Sequence, residues 1–307
     1  MAGEEPKLPK HHYIPVFYLN EWTRPDGRLT EFSRPNGKDV KARNTAPKGT
    51  GYVRGLYRLD HLTGDAAEAY ERLFFATVDN TAKDSLDILM GRRQVRFDDR
   101  SRSAWARFVL GLLFRNPERI AATRKYIEDF SLDNFDTDKV QYDAQKGDDD
   151  PEYLDYLVRQ ATYLAVDWTK DMLQSPRLGP HLNNMLWDVR DVSGSGLTLF
   201  TSDRPVVMTN GVGYNWSNIA VPLSPTKCFV ATNTREVMHA IMTMPATQFI
   251  IESNRRALRY AQRYAWAINN EQINVANRHL SLEADVSRTF FDGPPYRPRP
   301  APEKVAV

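Results

Sequence analysis

Apolar residues recur at three-and-four spacing through the middle of the chain and alternate with polar ones toward both ends. Tyr70, Leu73, Phe74, Val78, Ala82, Leu86 and Leu89 form one helical stripe, opened by Asp65 and closed by Gly91. A second stripe starts at Asp98 or Asp99 and places Trp105, Phe108, Val109, Leu112 and Leu113 on one face; Pro117 interrupts it, and it resumes over 120–130. The polar stretch 131–150 reads as a mobile loop, and Tyr153–Leu173 as a further amphipathic helix. A last helical run is expected over 246–269, with Phe249, Ile250, Leu258, Ala261, Tyr264, Ala265 and Ile268 inward.

The strand signals flank this middle. Residues 28–32 and 38–42 surround Arg34-Pro35-Asn36-Gly37, whose Asn-Gly step suits a hairpin turn, and a third strand is expected over 51–57. Residues 184–189 and 197–201 surround Ser193-Gly194-Ser195-Gly196 and read as a second hairpin, followed by strands near 206–209, 219–221 and 228–231. Strand blocks on either side of a helical middle predict one α+β domain over 1–291, with a helical insertion at about 65–175. Its mixed or antiparallel sheet would be shared by N- and C-terminal strands, with a Pro-rich tail over 292–307.

Composition narrows the function classes. The 307 residues are 41% hydrophobic and include 14 Tyr, 14 Phe and 6 Trp, enough for a substantial core. With 41 Lys and Arg against 39 Asp and Glu, no global field marks nucleic acid or membrane as partner, so a nucleic-acid surface would be a local patch. The one cysteine, Cys228, excludes an intrachain disulfide and a Cys-rich zinc site; its strand-like setting suggests a buried, inert thiol. Residues 1–10 lack the apolar core of a signal peptide, and no apolar run approaches the ~20 residues that span a bilayer. The expectation is a soluble, cytoplasmic protein with no membrane partner.

The segment with most chemical content is Lys10-His11-His12-Tyr13-Ile14-Pro15-Val16-Phe17-Tyr18-Leu19. Two adjacent imidazoles enter an apolar neighbourhood, where burial without partners is costly. On a strand they face opposite sides and on a helix they diverge by about 100°, so a single metal held by both is awkward. Together with Arg115-Asn116-Pro117, Thr201-Ser202-Asp203-Arg204-Pro205, Ile219 to Pro225 and Asn254, this opening resembles the family described as domain of unknown function 4238. Members open with His-His-Tyr-x-Pro-x-x-Tyr-Leu; here Val16 replaces a common Gln, and Arg204 stands where Asn is frequent. The resemblance spans about residues 10–270 and implies no established reaction.

Each candidate has a structural reading beside its functional one. His11 and His12 either anchor the N-terminal segment or supply a general base, acid or ligand. Asp203 is a turn former, or a carboxylate that orients a histidine, takes a proton or holds a divalent metal ion. Arg115 pairs with Glu68, Glu71 or Asp203, or else neutralises an anionic substrate, with Tyr13, Ser202 and Asn254 as further substrate contacts. Asn254 is also expected to begin or cap the last helix. Arg255, Arg259 and Arg263, four apart, would share one basic helical face suited to nucleic acid or simply to solvent. His61, His181, His239 and His279 are assigned no chemistry. The leading expectation is a hydrolase of a phosphate-containing substrate, a nuclease or phosphodiesterase, with His11 or His12, Asp203 and Arg115 at the site. The alternative is a non-catalytic regulatory module that binds nucleic acid, a nucleotide or a protein.

Overall fold

Period-two alternation at the two ends of the chain is resolved by pairing them. The computed structural model describes residues 8–59, 62–133, 135–209 and 211–282; His61 and the Pro-rich segment 292–307 lie outside these. The first half contains β1 (Lys10–His12), α1 (Val16–Leu19), β2 (Leu29–Ser33), β3 (Lys41–Thr45), β4 (Tyr52–Arg54), α2 (Gly64–Ala67), α3 (Ala76–Leu89), α4 (Asp99–Phe114), α5 (Pro117–Asp133) and α6 (Phe135–Asp143). There follow α7 (Tyr153–Leu173), α8 (Leu178–Asn184), β5 (Leu186–Asp191), β6 (Thr201–Ser202), β7 (Val207–Thr209), β8 (Asn218–Ser224) and β9 (Lys227–Thr232). The last elements are α9 (Arg235–Thr243), α10 (Ala246–Arg259), β10 (Tyr264–Ala267) and α11 (Ile273–His279).

Three antiparallel sheets result, with strand orders β1-β4, β3-β2-β10-β6 and β5-β9-β8-β7. The middle one joins the termini: β10 lies between β2, with Ala265 opposite Phe32, and β6, with Ala265 opposite Ser202. The fold is therefore α+β, as expected, with N- and C-terminal strands in one sheet beside a helical middle. The aromatic run after the histidines pins these parts together. Tyr18 donates its hydroxyl hydrogen to the Pro222 carbonyl (2.6 Å), and Trp22 Nε1 donates to the Leu199 carbonyl (3.1 Å). Trp105, Phe108, Val109 and Leu112 of α4 share the main core with Trp22, Phe229 and Trp266.

Several local expectations change once tertiary pairing is imposed. The first hairpin forms, but with a connection over 34–40 in place of a tight Asn-Gly turn. The third strand is the short β4, and it pairs with the histidine strand rather than with the hairpin. The second hairpin does not form, because β5 pairs with β9 whereas Thr201–Ser202 pairs with β10 in another sheet. Residues 131–150 are not one loop: α6 packs Phe135 and Tyr142 on Tyr153 of α7, with ring centroids 5.1 and 5.2 Å apart. The run 246–269 splits, α10 ending at Arg259 and Tyr264–Ala267 joining the shared sheet.

The helix expected over 65–91 is also divided. Glu68 leaves helical geometry after α2, and a π-helical turn over Tyr70–Phe75 precedes α3. Gly91 (φ 75°) follows the end of α3 in the left-handed region, consistent with its expected role as terminator. Asp98 caps α4 by accepting from the Ser101 amide (2.8 Å), and Pro117 begins α5 as its first residue.

Candidate functional site

β1 is too short to hold itself, and its position is set by β4 and by Gly51. Ile14 N donates to the Gly51 carbonyl (3.1 Å), and a Cβ added to Gly51 (φ 65°) would meet Ile14 at 3.2 Å. Alternation along β1 then sends the two imidazoles to opposite sides. His11 is buried, and both its nitrogens are engaged. Nδ1 accepts the Tyr57 amide (3.0 Å), so the proton sits on Nε2, which donates to Glu68 Oε2 (2.6 Å). Glu68 Oε1 also accepts from Arg58 Nη1 (2.7 Å), and the His11 ring stacks on Tyr57 with centroids 5.5 Å apart. Burial lowers the His11 pKa against the pull of Glu68, so the neutral ring is the stable form at neutral pH.

His12 is different. Its Nε2 is buried without a hydrogen-bond partner. Burial, reinforced by the positive charges of Lys10 and Arg115, pushes its pKa down to about 4. At neutral pH it is an uncharged imidazole, packed at a tilt on Tyr52 with centroids 5.5 Å apart.

Arg115 stands at the C-terminal end of α4 with no exposed surface. Its partner is one that the sequence reading did not name: Nη1 donates to Asp79 Oδ1 of α3 at 2.8 Å. Nε donates to the Tyr13 carbonyl (3.1 Å), which ties the guanidinium to the residue after the histidine pair. Tyr57 closes the other side by donating its hydroxyl hydrogen to the Arg115 carbonyl (2.9 Å). Nη2 remains buried and unpartnered.

The π-helical turn supplies the complementary group. Glu71 feels the Arg115 charge but makes no bond to it, and its Oε2 is buried without a hydrogen-bond partner. Burial, with repulsion from Asp79 and Glu68, pushes its pKa up to about 7 despite the attraction of Arg115. Burial likewise raises Asp79. A carboxyl titrating near neutrality beside a guanidinium with a spare donor suits proton transfer and anion binding. Sequence reasoning named Glu71 only as a possible partner of Arg115 and missed Asp79. Their signal was positional: each follows a stripe residue, Tyr70 or Val78, at the margin of the buried helical face.

The model of the family described as protein of unknown function (DUF4238) matches residues 10–281. The chain belongs to the DUF4238 family. No curated protein and no solved structure matches it. The DUF4238 match includes every motif segment noted in the sequence, from His11 to Asn254.

The remaining candidates within the DUF4238 region occupy separate places. The hydrogen bonds of the Asp203 carboxylate go to backbone amides and to neither imidazole among the described residues. Its Oδ1 accepts the Gln262 amide (2.8 Å) and its Oδ2 accepts those of Arg263 (2.6 Å) and Tyr264 (2.9 Å), turning the chain into β10. Burial nevertheless pushes its pKa up to about 6, against these three donors and with added repulsion from Glu118. Asp203 and Glu118 both act on the Tyr13 hydroxyl, whose pKa burial already raises. Tyr13 thus lies between the Arg115 cluster, through its carbonyl, and Asp203, through its ring. Ser202 is buried in β6, and its Oγ accepts the Arg204 amide (3.2 Å).

Asn254 neither begins nor caps its helix. It is buried within α10, where Oδ1 accepts the Phe200 amide (2.8 Å) and Nδ2 donates to the Thr198 carbonyl (2.9 Å). The three arginines do not share a helical face either. Arg255 and Arg259 lie on α10, with Arg255 paired to Glu252 (2.6 Å), whereas Arg263 follows the helix and reaches toward Glu118 (3.9 Å). Cys228 is buried with its thiol pushed up to about 12, the inert state expected. Among the described residues, no group of three or more His, Cys, Asp or Glu side chains is placed to hold a metal ion. Nor is any helix among them long and apolar enough to cross a membrane.

Proposed function

We propose that this cluster is the active site of a hydrolase acting on a phosphate-containing substrate, a nuclease or phosphodiesterase in its specific form. One observation carries the reading: Arg115 Nη2 and Glu71 Oε2 are both buried and both without partner, in side chains that interact electrostatically yet do not bond. An ion pair that served packing alone would close on itself, because an unused buried donor or acceptor costs about 1–3 kcal/mol. Arg115 has no exposed surface, so substrate must first displace the packing over it; oriented by Asp79 and the Tyr13 carbonyl, it then offers Nη2–H to a phosphate oxygen. Glu71 takes a proton from a water molecule as the water oxygen bonds to phosphorus. The ester P–O bond then breaks, and that proton ends on the leaving oxygen. His12 Nε2 is a further uncommitted hydrogen-bonding atom in this charge cluster, while His11 positions Glu68 at the entry to the π-helical turn.

The test is hydrolysis of bis(p-nitrophenyl) phosphate and of a labelled oligonucleotide by the full chain, with and without added divalent cations. The rate should rise with pH and level off above about 7, following Glu71. Glu71→Gln, nearly isosteric, should lower kcat by about 10²-fold or more. A wild-type chain inactive on both probes, or a Glu71→Gln variant of unchanged kcat and pH profile, would overturn the proposal.

A further inference from the structure

β1 and β4 pair only with each other, and their register decides what each face of this ribbon presents. Lys10 stands opposite Arg54 and His12 opposite Tyr52, so these four side chains leave on one face, with His11 and Val53 on the other. Lys10 and Arg54 are exposed, whereas His12 and Tyr52 are half-buried. Lys10 Nζ sits 4.4 Å from the centre of the Tyr52 ring, and the His12 ring packs on that same tyrosine at 5.5 Å. The positive charges of Lys10 and Arg115 both act on His12. His12 thus joins the outer cations to the buried guanidinium, and it directly precedes Tyr13, whose carbonyl Arg115 holds.

The outer pair is what calls for a partner. Like charges directly opposite each other weaken an antiparallel pairing, and a ribbon built for pairing alone would set a carboxylate against one of them. Neither charge is neutralised here. Lys10 donates to the Lys48 carbonyl (3.1 Å) and Arg54 to the Leu8 carbonyl (2.5 Å), and neither forms an ion pair among the described residues. Both keep further N–H donors, three being available on an ammonium and five on a guanidinium. The face therefore offers two uncompensated cations outside and a third, Arg115, within. An anion with one charge uses only part of it; a chain of phosphates uses all of it. Arg115 has no exposed surface, so a strand that reaches it enters as a single backbone and not as a duplex. We propose that the Lys10–Arg54 face of β1 and β4 binds the phosphodiester backbone of a single-stranded nucleic acid, continuous with the Arg115 cluster past His12. The chemistry of the anion rests on the hydrolase reading of that cluster; the face itself rests on the register and charges of β1 and β4.

Fluorescence anisotropy of an end-labelled, single-stranded deoxyoligonucleotide with the full chain tests this over a series of potassium chloride concentrations. Glu71→Gln serves as the background, so that hydrolysis does not consume the probe. Lys10→Gln and Arg54→Gln should each weaken binding about threefold or more, and together about tenfold or more. Each should also flatten the slope of log affinity against log salt by about 0.7, the share of one phosphate contact on a single strand. Both positions are exposed, so both variants keep the fold. Lys125→Gln, which removes an exposed charge from α5, should change neither quantity. Poly-L-glutamate should compete about tenfold less well than the unlabelled strand. Binding indifferent to both ribbon substitutions, an equal effect of Lys125→Gln, or equal competition by poly-L-glutamate would overturn the inference. Weakening by the ribbon variants sustains it even if the wild-type chain hydrolyses neither phosphodiester probe, a result that sinks the hydrolase reading alone. Hydrolysis of the oligonucleotide without such weakening would sink the face and leave that reading standing.

Discussion

At the scale of single residues, opposing titrations act on one cluster. Glu71 is held near 7 against an ordinary 4.5, so between those values the folded chain keeps a proton that the unfolded chain has released. That contribution to stability is complete below about 4.5 and is lost as pH rises through 7. Glu71→Gln should therefore be more stable than wild type by about 2 kcal/mol near pH 8, with most of the gain gone near pH 5, as read by urea unfolding. His11 and His12 have the reverse sign. Their folded pKa values lie below 6.5, so the unfolded chain binds more protons and stability falls as pH drops beneath that value. His11→Ala leaves the Tyr57 amide and Glu68 without their partner and should cost about 3 kcal/mol in the same assay near pH 7. The opposite facing of the imidazoles follows from strand period, one of the two local geometries the sequence left open. That His11 meets Glu68 and Arg115 meets Asp79 was not legible in the sequence, because such pairs depend on how separate elements are brought together.

At the scale of elements, local signals worked where the element supplies its own ends. α4 has its Asp98 cap, and α7 spans Tyr153–Leu173 as its periodicity predicted. They failed where a neighbour decides. Tyr264 and Ala265 fit a helical stripe, yet Asp203 takes the amides of residues 262–264 and the chain enters a sheet between β2 and β6. Asn254 is the matching device on α10, clamping it to residues 198 and 200. Asn254→Ala removes both bonds and leaves the Phe200 amide buried and unpaired, so unfolding should become easier by about 2–3 kcal/mol. Gly51→Ala combines left-handed backbone with a Cβ at 3.2 Å from Ile14 and should cost about 2 kcal/mol. By shifting β1 it should also reduce any activity that depends on His12. A Gly51→Ala chain as stable as wild type in thermal unfolding would count against that close approach.

At the scale of the whole molecule, the expected meeting of the chain ends is real, through β2 and β10. The chemistry gathers elsewhere, where β1, the π-helical turn, α3 and the end of α4 converge around Arg115. Asp203 adjoins this cluster through Tyr13. The residue types of the site were thus partly legible, but its centre was not: Glu71 acquires its character from burial beside Asp79 and Glu68, which no local spacing encodes. The most direct measurement is a titration of the Glu71 side-chain carboxyl by ¹³C NMR, with Glu71→Gln to assign the signal, in the absence and presence of inorganic phosphate. The midpoint should lie near 7 and rise further when phosphate dianion binds at Arg115, since a second negative charge disfavours ionisation. A midpoint near 4.5, or one indifferent to phosphate, would contradict the account.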